Sequence, residues 1–144
     1  MKILGHPVHL MLVHFPTALF PIECLFYALL VYTGHLDYAF VSFCILLCGV
    51  GFGWVAAIFG ALDMASISSE KVDVIKRALI HGSINGTVLI AYTVMAYSLY
   101  LSYPSFPEGS VFMLVFKIFL VLFLVIGNFI GGNLVLKDKV GLIQ

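Results

Sequence analysis

Hydrophobic residues in this chain fall into four long runs that are separated by short polar turns. Each run is long enough, at about 1.5 Å per helical residue, to cross a hydrocarbon core of about 30 Å. The pattern predicts an all-α integral membrane protein, a four-transmembrane-helix up-down bundle that forms a single membrane domain over residues 1–144. The predicted spans cover residues about 7–33, 38–64, 72–100 and 110–136.

The composition agrees with a membrane protein. Hydrophobic residues make up 62% of the chain and charged residues only 10%, whereas about 25% of the residues in soluble domains are charged. No basic patch suggests a nucleic-acid partner. Cys24, Cys44 and Cys48 lie in apolar runs without a CxxC spacing, so we expect packing residues and not a disulfide or zinc framework.

Positive charges concentrate at one end of the predicted bundle. An up-down order places both termini and the turn between the second and third spans on the same side of the membrane. The basic residues on that side are Lys2, Lys71, Lys76, Arg77, Lys137 and Lys139, and Lys117 alone lies in the other half. The positive-inside rule therefore predicts that the N and C termini are cytoplasmic.

Histidines gather at that same end. His6, His9 and His14 stand where the first apolar run begins, and His81 shares a helix face with Asn85 in the early turns of the third. Helices one and three are diagonal in a bundle taken in sequence order, so both His14 and His81 can point at one central space. A histidine in lipid is costly without a partner, which indicates a polar cluster or a ligand site.

Two charges lie deep in the opposite half. Glu23 and Lys117 belong to the first and fourth spans, which are neighbours in the predicted bundle. An isolated charge at the membrane centre costs about 2.5–3.5 kcal/mol. We therefore expect the two side chains to form an ion pair, and the alternative is that Glu23 relays protons.

Prolines and small residues add two local expectations. Pro16 and Pro21 lie inside the first span and predict a kink there, with a hydroxyl such as that of Thr17 bonding a freed carbonyl. Small residues at four-residue spacing, Gly49, Gly53, Ala57 and Ala61, let another helix or a flat ligand approach the second span closely.

The motifs of the chain resemble a prokaryotic family known as domain of unknown function 2231. The family opens with a Gly-His-Pro-x-His-Pro element and a Leu-Val-His-Phe-Pro element, which match residues 5–9 and 12–16, although Leu10 replaces the second proline. Its later landmarks resemble residues 60–63, His81 with Asn85, and residues 131–135, whereas the closing segment 137–141 lacks the family's frequent histidine.

The resemblance implies a small four-span domain of the bacterial or archaeal cell (inner) membrane. Members of this family are sometimes fused to Rieske-type iron–sulfur modules, an association that hints at electron transfer. The resemblance implies no established activity, and whether the chain is an enzyme stays open.

A b-type haem site is the first functional hypothesis. His14 and His81 would be the axial ligands of the haem iron, and His6 and His9 would hold a second haem or support the first. Asn85 lies beside His81, and Lys76 and Arg77 stand where haem propionates would emerge. The expected partners are the lipid bilayer and redox proteins or a quinone, in a homo- or hetero-oligomer.

Two other hypotheses remain open. The first is a non-haem zinc, iron or copper ion bound by His6, His9 and His14 together with Asp63 or His81. The second is a structural or accessory subunit of a membrane complex, in which the histidines and asparagines cap helix ends and hydrogen-bond one another. A transporter is less well supported because the sequence shows no evident internal repeat.

Overall fold

The computed structural model describes residues 2–3 and 6–141, with side chains from residue 7 onward. Two short strands, β1 (Lys2–Ile3) and β2 (His6–Pro7), pair antiparallel ahead of the first helix. The helices are α1 (Val8–Leu12), α2 (His14–Thr33), α3 (Asp37–Ala65), α4 (Val72–Ser102) and α5 (Val111–Leu136).

Within residues 2–3 and 6–141, four helical segments are long and apolar enough to cross a membrane: α1 with α2, α3, α4 and α5. They also turn large apolar side chains outward, among them Phe112 and Phe129, which are 80% and 73% exposed. Side chains of this kind are stable at the surface of a bundle only when that surface faces lipid. The all-helical, four-span fold predicted from the sequence is confirmed.

The first span lacks one helical hydrogen bond near Val13, the residue between α1 and α2, whose φ of −63° and ψ of −20° stay helical. Pro16 has no N–H to give to the carbonyl of Leu12, and its ring crowds that carbonyl. The hydroxyl of Thr17 donates to the carbonyl of Val13 over 2.7 Å and accepts a bond from Asn128 Nδ2 over 3.0 Å. The carbonyl freed by Pro16 is that of Leu12, whereas Thr17 bonds the carbonyl of Val13, which also accepts from the Thr17 N–H. Helix α2 continues through Pro21, so the predicted kink stays a prediction, and Thr17 links α2 to α5.

The helices form a ring in sequence order. Helix α2 packs against α3 and α5, and α4 packs against the same two helices, so α2 and α4 are diagonal. Phe20 and Tyr92 meet across this diagonal with ring centroids 4.0 Å apart and planes 10° apart. The buried core around them includes Leu46, Val88, Leu120 and Leu124.

The last described residues fold back against the basic end of the bundle. Val140 N–H donates to the carbonyl of Leu134 over 3.1 Å. Arg77 of α4 pairs with Asp138 through its Nη2, at 2.9 and 2.8 Å from the two carboxylate oxygens. These contacts hold the segment after α5 close to the start of α4.

Candidate functional site

A cavity of about 750 Å³ lies between all four spans at the basic end of the bundle. Small-molecule sites in proteins usually have volumes of about 300–1,000 Å³. The wall is largely apolar, and its polar side chains include His9, His14, Asp63, His81, Asn85 and Asn128. The cavity is therefore large enough for a cofactor and presents a small number of polar groups to it.

His9 is held at this wall by the backbone of α3. Its Nδ1 lies 2.8 Å from the carbonyl oxygen of Ala56, and its ring lies so close to Gly60 that a Cβ there would be 2.7 Å from Cε1. A carbonyl oxygen can only accept, so Nδ1 carries the hydrogen. In the neutral ring Nε2 then keeps its lone pair, as in many metal-binding histidines.

His81 is held in the same way by α5. Its Nδ1 lies 2.8 Å from the carbonyl oxygen of Gly127, and a Cβ at Gly131 would be 2.6 Å from Cε1. Asn85 places Nδ2 3.1 Å from this Nδ1. Since Nδ1 donates to Gly127, a half-turn of the amide presents its oxygen to Nδ1, and Nε2 of His81 again keeps the lone pair.

His14 lines the same cavity as the first residue of α2. Its side chain is exposed, and no hydrogen bond among the described residues holds its ring. The structure thus brings His9, His14, His81 and Asn85 to one cavity from two distant parts of the chain. Their roles in binding a cofactor stay predictions.

Three glycines leave open space at the wall of the cavity. A Cβ added at Gly82, Gly86 or Gly132 would meet nothing within 4 Å, and all three glycines line the cavity. On α3, Gly49 and Gly53 let side chains of the neighbouring helices pack closely against the backbone. A Cβ at Gly49 would lie 2.7 Å from the ring of Phe20, and one at Gly53 would lie 2.6 Å from Leu89.

The predicted cationic residues stand outside the cavity wall. Lys76 is exposed, and Arg77 is bound to Asp138. Asp63 is buried at the wall, where a Cβ at Gly141 would lie 3.2 Å from its Oδ2. All three lie at the end of the bundle that the sequence predicts for them.

The alternative metal set is only partly within the described structure. The side chain of His6 lies outside the described residues. Among the side chains that are described, no group of three or more histidine, cysteine, aspartate and glutamate residues is close enough to hold a metal ion. The proposed set of His6, His9, His14 and Asp63 therefore gains no support from the described part of the chain.

Glu23 and Lys117 form the expected ion pair, in the half of the bundle away from the cavity. Lys117 Nζ donates to Glu23 Oε1, and both side chains are at most 1% exposed. Ser42 donates to the same oxygen over 2.7 Å, and Nζ lies 4.6 Å from the centroid of the Tyr27 ring. Side chains from three helices thus stabilise two charges whose burial in lipid would be costly.

The sequence analysis did not identify the groups that hold the two histidine rings. Ala56 and Gly127 contribute backbone carbonyls, which any residue type can supply. Gly60 and Gly131 lack a Cβ and so leave room for the two rings. The carbonyls follow their histidines by nearly equal intervals, 47 and 46 residues, which is a weak signal because Ala56 and Gly127 belong to no recognisable motif.

Comparison with known proteins gives the family but no characterised relative. Neither the curated proteins nor the solved structures contain a match. A family described as predicted membrane protein, domain of unknown function 2231, matches residues 5–144. Since that match covers nearly the whole sequence, the chain belongs to the domain of unknown function 2231 family.

Proposed function

We propose that this protein binds haem b in the cavity at the basic end of the bundle and takes part in electron transfer there. One observation carries the proposal: imidazoles from the first and third spans reach the same cavity. The carbonyl oxygen beside each Nδ1 assigns the hydrogen of His9 and of His81 to Nδ1 and the lone pair to Nε2. Neutral imidazole nitrogen is a common axial ligand of haem iron.

The wall of the cavity is suited to a flat apolar ring. Gly82, Gly86 and Gly132 leave open space at the wall, and the surrounding side chains are largely apolar. When bound, haem would supply one-electron chemistry through its iron. The protein would hold the iron through imidazoles, keep water from the ring and set the reduction potential by burial.

Lys76 and Arg77 lie near the cavity, outside its wall, and their positive charges support the proposal. Both lie in the second turn of α4, at the same end of the bundle as the cavity. Haem propionates are anionic and form their strongest contacts with such cations. Arg77 already binds Asp138, so a propionate would compete with that carboxylate, whereas Lys76 is exposed and has no such competitor among its described contacts.

We also propose that both termini face the cytoplasm of a bacterial or archaeal cell. The proposal rests on the concentration of lysine and arginine at the cavity end. A reporter that is active only in the periplasm, fused after residue 144, would be inactive, and the same reporter inserted at Ser105 in the turn between α4 and α5 would be active. The reverse pattern would contradict this orientation.

The visible spectrum of the detergent-purified protein tests the haem proposal. We expect a Soret band in the oxidised protein and sharp α and β bands after reduction with dithionite. If a protein expressed with a full haem supply shows none of these bands, the proposal is wrong. Elemental analysis of the same sample then separates a zinc, iron or copper protein from an accessory subunit without a metal.

A further inference from the structure

The two halves of the chain repeat the same arrangement around a histidine. In each half, a histidine of the first helix donates through Nδ1 to a carbonyl of the second helix, over 2.8 Å in both cases. In each half, the ring also lies against a glycine one helical turn after that carbonyl. The equivalent residues are His9 and His81, Ala56 and Gly127, and Gly60 and Gly131.

A second observation gives the relation between the halves. Phe20 and Tyr92 have the same separation in the sequence as His9 and His81, 72 residues, and their rings stack on one another almost in parallel. Equivalent residues contact each other where they lie on the two-fold axis that relates them. An axis that relates the two halves would therefore pass between Phe20 and Tyr92, as in proteins built from parallel repeats.

We infer that the chain is a duplicated helical hairpin and that its equivalent histidines, His9 and His81, bind the metal of the cofactor through Nε2, whereas His14 is not a ligand. The assignment of ligands rests on the proposed function, and the duplication does not. Two equivalent imidazoles suit a metal with two equivalent axial positions, which is the arrangement in a planar porphyrin.

His14 stands outside the repeat. Its equivalent, 72 residues later, is Gly86, where a Cβ would meet nothing within 4 Å. A backbone carbonyl fixes the orientation of the His9 ring and of the His81 ring through Nδ1. Metal-binding histidines typically donate the N–H of the other ring nitrogen to such an acceptor. No described hydrogen bond does this for His14. Nothing among the described contacts therefore fixes the His14 ring in an orientation for ligation, although the residue lines the cavity.

Haemin titration of the full-length purified protein tests the ligand pair. His9→Ala is expected to abolish the six-coordinate spectrum, and His14→Ala is expected to bind haemin within about twofold of wild type. Added imidazole should restore the spectrum of His9→Ala, because a free imidazole can enter the vacated position. This rescue separates a missing ligand from a misfolded chain.

Substitution of Gly60 and Gly131 tests the positions of the His9 and His81 rings. Gly60→Ala and Gly131→Ala each add a methyl group within 2.7 Å of a ring carbon and displace that imidazole. Loss of a group that orients a metal ligand typically weakens binding by about 10–100-fold, and we expect a loss of this size from either change. The matched control is Gly51→Ala on the same helix as Gly60, where an added Cβ would meet nothing within 4 Å.

A measurement without haemin tests the repeat itself. In protein labelled with ¹⁵N-histidine, His9 and His81 should both show the tautomer with hydrogen on Nδ1. Gly60→Ala should shift the signals of His9 alone, and Gly131→Ala those of His81 alone.

The outcomes distinguish the two proposals. If wild type binds no haemin, the proposed function fails, and the tautomers still decide the repeat. If His14→Ala loses haemin as completely as His9→Ala, or if His9→Ala binds normally, the assigned ligand pair is wrong and the haem site stands. If either ring carries its hydrogen on Nε2, the inferred equivalence is wrong.

Discussion

The buried ion pair allows a quantitative prediction about stability. Glu23→Gln removes the negative charge that faces Lys117 and nearly preserves the shape of the side chain. Lys117 is 1% exposed, so neither water nor lipid headgroups can replace the lost partner. The variant therefore leaves an uncompensated ammonium inside the bundle.

The magnitude follows from the contacts that remain. Breaking one partner of a buried pair costs about 3–5 kcal/mol. The Tyr27 ring, 4.6 Å from Nζ, still attracts the ammonium, and Ser42 can still donate to the amide oxygen that replaces Oε1. We therefore expect the lower end of the range, about 3 kcal/mol, or a fall in Tm of about 6–12 °C for a chain of this size.

Thermal unfolding in detergent, followed by far-ultraviolet circular dichroism, measures the effect. The double variant Glu23→Gln with Lys117→Met removes both charges, and we expect it to be more stable than Glu23→Gln alone. Glu108→Gln is the matched control, because Glu108 is exposed in the turn before α5 and should change stability by less than about 0.5 kcal/mol. A loss below about 1 kcal/mol in Glu23→Gln, or strict additivity in the double variant, would refute the reasoning.

Three further predictions use the same assay. Tyr92→Phe should leave Tm unchanged or raise it, because the hydroxyl is buried without a hydrogen-bond partner among the described residues; a fall of several degrees would reveal a partner. Thr17→Val should cost about 1 kcal/mol by leaving the Asn128 amide without its acceptor, and an unchanged Tm would mean that this link between α2 and α5 contributes nothing. Gly49→Ala should cost about 1–3 kcal/mol, since its methyl group would overlap the ring of Phe20; a stabilised variant would show that the ring moves freely.

Properties that depend on lipid could be predicted from the sequence. The apolar runs gave the four spans because each must be long enough to cross the bilayer. Glu23 and Lys117 could be paired because an isolated charge is costly at that depth. Pro16 marked the missing helical hydrogen bond in the first span because a proline has no N–H.

The arrangement of the histidines could not be predicted to the same degree. His9 and His14 are five residues apart, about 140° around a regular helix, and the sequence does not say which side faces the bundle interior. The sequence analysis paired His14 with His81 because their helices are diagonal in the bundle. In the structure, His9 instead makes the same kind of contact as His81. Both contacts are with backbone carbonyls, which cannot be recognised from the residue type.

The repeat was hidden for a related reason. His9 is the second residue of α1, whereas His81 is the tenth residue of α4, so the two helices begin at different distances from their histidines. Side chains at equivalent positions also differ in chemistry, since Glu23 corresponds to Met95 and Lys117 to Leu46. What the halves share is backbone geometry, which the order of residue types does not display.

The most direct measurement is the haem content of two histidine variants purified in the same way. The account predicts that His81→Ala contains no haem, whereas His35→Ala, whose histidine is exposed in the turn between α2 and α3, contains as much haem per chain as wild type. Circular dichroism should show both variants folded. Haem content that is equal in the two folded variants would contradict the account.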